Sequence, residues 1–171
     1  MSLLIFGFQR ACLIRQRNDL SFQMMQLTKQ MTDLQQYAAN IADGEVSMYD
    51  MVNTPASMFN RQLMFSMYSH NMALQGANQN FMMMSPVINM QMQQIAPNNQ
   101  AMYQNWIFNN LYKQQKEKIN KYEQKMLNEQ ETVMQQKKAR LETQLKMVEQ
   151  ELESVKEAEE KAIESWRPQY V

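Results

Sequence analysis

Apolar side chains recur at helical intervals along the first forty residues. Leu20, Met24, Leu27, Met31, Leu34, Ala38 and Ile41 follow one another at spacings of 4, 3, 4, 3, 4 and 3. That alternation places all seven on one seam of a helix. Leu13 and Phe6 continue the seam backwards, with Arg17 and Arg10 interrupting it. Arg15–Asp19 and Lys29–Asp33 add i,i+4 pairs of opposite charge. The pattern predicts a helix over about 9–42, ended at Asp43-Gly44 because glycine accepts the left-handed geometry that commonly closes helices.

The middle of the chain is punctuated by proline. Asn53-Thr54-Pro55 offers a capping side chain followed by proline at the first helical position. From it Met58, Phe59, Leu63, Met64, Met67 and Leu74 run to Gly76, read as a C-terminal stop. Ser85-Pro86 repeats the start signal, and Ile95-Ala96-Pro97 ends that short piece. Residues 78–84 between them fit neither pattern. No sustained alternation of β-branched residues occurs, which argues against strands.

The last segment reads as one helix from Asn98 or Asn99 to Trp166, stopped by Pro168. Without glycine or proline for nearly 70 residues, it would run to about 100 Å at 1.5 Å per residue. Its far end carries the seam Leu141, Leu145, Val148, Leu152 and Val155, continuing through Ala162 to Trp166. Ile119, Tyr122, Met126 and Val133 lie one residue out of phase with it, implying a register shift near 129–138. A periodic run this long points to a coiled coil more than to a globular helix.

Composition sharpens the division. Residues 1–112 hold ten charged side chains and 16 of the 19 methionines, whereas 113–167 hold 24 charges. The expected architecture is all-α and elongated: an amphipathic coiled-coil helix over 1–44, a Met/Asn/Gln-rich helical segment over 45–97, and a coiled-coil rod over 98–171. The rod divides by sign, with a balance of +4 over 113–140 and −4 over 141–167, which would favour antiparallel or staggered neighbours.

Candidate chemistry is sparse. Seventeen basic residues balance seventeen acidic ones, removing the overall positive field on which nucleic-acid binding usually rests. One cysteine excludes an internal disulfide framework, and three glycines leave no phosphate-cradling loop. Met82, Met83, Met84, Met90 and Met92, with Met67, His70 and Met72, could offer thioethers to Cu(I); methionine more often fills irregular apolar surfaces. His70 and Cys12 show no nucleophile spacing. Asp43, Glu45 and Asp50 are too few for a cation loop, and the Lys113–Lys125 stretch is diluted by Glu117 and Glu123.

No motif names an activity, cofactor or metal. The sequence leads to a non-enzymatic, self-assembling helical protein, such as a subunit of a filament, virion or secretion-type assembly. The alternative is a helical adaptor or secreted protein that grips a partner through its Met-rich surface. Either way the expected partner is a second copy or another helical protein, not nucleic acid. The contact seam would be Leu20, Met24, Leu27, Met31, Leu34 and Ile41 together with Leu141, Leu145, Val148, Leu152, Val155 and Trp166. The apolar start, residues 1–8, has its basic residues behind it and lacks a cleavage site, so no cleavable secretory signal is read there. No window suffices for a transmembrane helix. A cytoplasmic location, or export or virion incorporation by another route, is equally compatible.

Overall fold

The computed structural model describes residues 3–42 and 48–165. These form four helices: α1 (Leu3–Ala42), α2 (Met48–Val52), α3 (Ala56–Met92) and α4 (Pro97–Ser165). No strand occurs among the described residues, and the class is all-α. The stop expected at Asp43-Gly44, together with Glu45, Trp166 and Pro168, lies outside them. By contact the chain divides into two compact units, one holding residues 1–32 and 132–171 and the other residues 33–131.

In the first unit α1 runs antiparallel to the end of α4. Arg10 meets Glu159 at 3.4 Å, Cys12 and Leu13 share a groove with Glu151 and Val155, and Leu27 shares another with Leu141. Residue numbers rise on one helix as they fall on the other. Leu27, Val148 and Leu152 are buried there. This part of the apolar stripe of α4 therefore faces α1 of its own chain. α1 has 40 residues and begins at Leu3 instead of Gln9; against it Val148 and Leu152 are buried and Leu141, Leu145 and Val155 half-buried.

The second unit packs the end of α1, α2, α3 and the first half of α4. Leu34, Tyr37 and Ile41 are its α1 core. The hairpin of α3 and α4 closes through residues 93–96, where Gln94 N–H and Ile95 N–H donate to the carbonyls of Gln91 and Met92, each at 3.1 Å. The Gln100 amide also donates to the carbonyls of Met92 and Ile95, at 3.1 and 3.3 Å, adding side-chain donors where the helix ends.

Three local expectations are corrected here. Thr54 does not cap α3: its hydroxyl donates to the Asp50 carbonyl at 2.6 Å and pairs with Gln62, while Pro55 occupies the cap position without a side-chain bond. Gly76 does not end the helix. It lies in mid-α3, where a Cβ would stand 3.1 Å from Cγ of Gln115 on α4, so its missing side chain serves close approach of two helices. Pro86 does not begin a new helix, because α3 continues through it to Met92. An interior proline costs about 3 kcal/mol; burial of Ala77 and Ile88 on either side, and the edge contact of Phe81 with Phe108, offset that loss.

Candidate interaction surface

The packing of α3 inverts the usual rule. Its covered stripe is Gln62, Ser66, Ser69, Ala73, Gly76, Ala77 and Asn80, small or polar residues, followed by the one large buried apolar side chain, Ile88. Small side chains let helix axes approach, so α3 lies close to α4 around Gly76, with the apolar contact of Phe81 on Phe108 and the buried Ile88 further along. The Gln62 amide nitrogen and Ser66 hydroxyl are buried without hydrogen-bond partners, a further sign that this face is not the helix's main apolar asset.

Most of the large apolar side chains of α3 point outward. Phe59, Leu63, Met64 and Met67 are exposed, whereas Met58 and Leu74 are half-buried. Tyr68, Met72, Met82, Met83, Val87 and Met90 extend the exposed set, and Met102 and Trp106 add to it from α4. Across the described residues 25 large hydrophobic side chains are exposed against eleven hydrophobic residues buried. Scattered exposure is ordinary, but contiguous apolar surface marks an interaction site.

This surface coincides with a stretch free of formal charge. Between Arg61 and Lys113 no Asp, Glu, Lys or Arg occurs in 51 residues, while seventeen Asn and Gln do. The sequence showed the methionine enrichment without this coincidence. The signal lay in the gap between two basic residues.

A polar lock holds the hairpin in register. Arg61 donates from Nε and Nη2 to one carboxylate oxygen of Glu123 at 3.0 and 2.8 Å, and from Nη1 to Gln130 at 2.8 Å. Tyr37 donates its hydroxyl to the same oxygen at 3.2 Å, and the guanidinium stands 5.4 Å from its ring centroid. Burial first, then the Glu123 charge, hold the Tyr37 phenol well above its ordinary value. These groups tie three helices together.

The seam residues proposed from sequence fall into two sets. Leu20, Met24, Leu27, Met31, Leu141, Leu145, Val148, Leu152 and Val155 belong to the first unit, all buried or half-buried. Leu34 and Ile41 are buried in the second. Trp166 lies outside the described residues.

His70 pairs through Nδ1 with the Tyr112 hydroxyl at 2.9 Å, and Cys12 is an exposed free thiol. Among the described residues, no group of three or more His, Cys, Asp or Glu could hold a metal, and no helix is long and apolar enough to cross a membrane. Comparison with protein-family models, curated proteins and solved structures finds no match for this chain.

Proposed function

We propose that the chain is a non-enzymatic structural subunit that assembles with copies of itself through the outer face of the α3–α4 hairpin. One observation supports this above the others: twelve large apolar side chains are exposed within the uncharged stretch 62–112. Burying such side chains is worth about 1.5–3 kcal/mol each when complete. A face without formal charge can meet its own copy with no like-charge contact, which the Lys- and Glu-rich face of α4 beyond Lys113 could not. The Asn and Gln side chains argue against lipid as the occupant, since each amide buried in hydrocarbon needs a partner; a protein face can provide one. In this reading the seams of α1 and α4 act as a coiled-coil stem within the chain, and the hairpin carries the contact. The adaptor reading shares this surface and differs in its occupant. Sedimentation equilibrium over a hundredfold concentration range tests the choice. Mass rising above 20.3 kDa is the expected result, and a monomer throughout would refute self-assembly.

A further inference from the structure

Part of the outer stripe of α3 is symmetric along the helix, although Tyr68, His70 and Asn71 mirror Pro86, Met84 and Met83 without matching them. About a centre at Ala77, Met64 mirrors Met90, Met72 mirrors Met82, and Gln75 mirrors Gln79. Each of these six side chains is exposed. Met67 likewise mirrors Val87, both exposed. The stripe is thus two apolar patches separated by a belt of amides.

Resting on the self-assembly reading, we infer that two copies pair through α3 antiparallel, about a two-fold axis at the level of Ala77. A two-fold contact sets each residue against its mirror partner. Antiparallel pairing therefore places thioether on thioether at both ends and Gln75 beside Gln79 of the other copy at the centre, where amides can both donate and accept. A parallel pair would also match like with like, but it would turn both apolar ends the same way and set each hairpin turn beside the other. The palindrome has meaning only for the antiparallel arrangement.

Charge and size agree with this occupant. Neither partner brings a formal charge between residues 62 and 112, so the pair incurs no like-charge repulsion and gains nothing from low salt. Nine large side chains from Met64 to Met90 are 41–78 % exposed. At on the order of 100 Å² of apolar surface each, they present roughly 900 Å² per copy, about the size of a standard interface.

The test is directional cross-linking in a Cys12→Ser background. Met64→Cys and Met90→Cys chains are prepared separately, mixed at equal amounts, and treated with a short bismaleimide, with sedimentation mass and helicity read on the same samples. Met72→Cys and Met82→Cys form a second, independent pair. The expected result is 64–90 and 72–82 links in the mixtures, with no 64–64 or 90–90 links, because like positions would lie about 39 Å apart. Efficient 64–64 and 90–90 links would mean parallel pairing and overturn the inference. An oligomer that links at none of these positions would also overturn it, leaving self-assembly through another face. A monomer at every concentration would refute both.

Discussion

Glu123 on α4 and Arg61 on α3 meet through two bonds to one carboxylate oxygen, at 2.8 and 3.0 Å, with side chains only 13 % and 30 % exposed. The pair fixes the axial register of the hairpin, because Tyr37 and Gln130 engage the same two groups. Glu123→Ala leaves a half-buried guanidinium with a weaker set of acceptors and should cost about 2–3 kcal/mol in urea unfolding. A double-mutant cycle with Arg61→Ala should return a coupling of about 1–3 kcal/mol. Additive losses would mean that the two side chains do not act together.

Tyr37 makes a prediction for alkaline pH. Its folded value is raised above the ordinary 10.0, so the unfolded chain loses this proton first. The associated stability is complete below pH 10 and declines as pH rises above it. Tyr37→Phe should flatten that decline in a denaturation series from pH 8 to 11.5. A variant as pH-sensitive as the wild type would remove Tyr37 from the account.

Gly76 separates a helix-stop role from a close-approach role. Alanine gains about 0.5–1 kcal/mol of helix propensity but brings Cβ to 3.1 Å from the flexible Gln115 side chain, which must shift. Gly76→Ala should therefore change stability by less than about 1 kcal/mol, whereas Gly76→Leu overpacks the contact and should cost about 1–3 kcal/mol. Equal tolerance of both would argue against tight packing of α3 on α4, and thermal denaturation of the two variants decides it.

Much of the fold is legible in the sequence, and the reason is periodicity. The seam from Leu20 to Ile41 and that from Leu141 to Val155 announce helices, and both helices are present. Two things were hidden. Glycine and proline are read as punctuation from local rules, and Gly76 and Pro86 obey tertiary packing instead. Apolar residues on a helix are also assigned to the inside by default. In α3 the inside is the stripe of Ser69, Ala73 and Ala77, whose spacing was visible but whose small volume gave it no weight beside Met64 and Met72. The candidate surface was legible only as methionine enrichment, because its definition needs the knowledge of which face is free.

The first unit responds differently to charge than the hairpin face. Leu152 is 7 % exposed and Val148 4 %, packed within the chain. Leu152→Ala should cost about 2–3 kcal/mol, and Leu152→Asp should cost more by burying an unpaired carboxylate. Ile163→Ala, at an exposed position, should stay within about 0.5 kcal/mol. Hydrogen exchange over 3–32 and 132–165 reads the loss directly; unchanged protection in Leu152→Asp would contradict the packing of α1 on α4.

If the uncharged outer face of α3 joins copies of this chain, two carboxylates placed on it should separate them. The sedimentation mass of Met72→Glu/Met82→Glu beside the wild type, at matched concentration and with helicity monitored, reads this. Both positions are exposed, so the fold should persist, while the two added carboxylates would be desolvated in the contact. The expected result is an intact helical spectrum and a mass that falls to that of a single 20.3 kDa chain. A fully helical variant that keeps the wild-type oligomeric mass would contradict it.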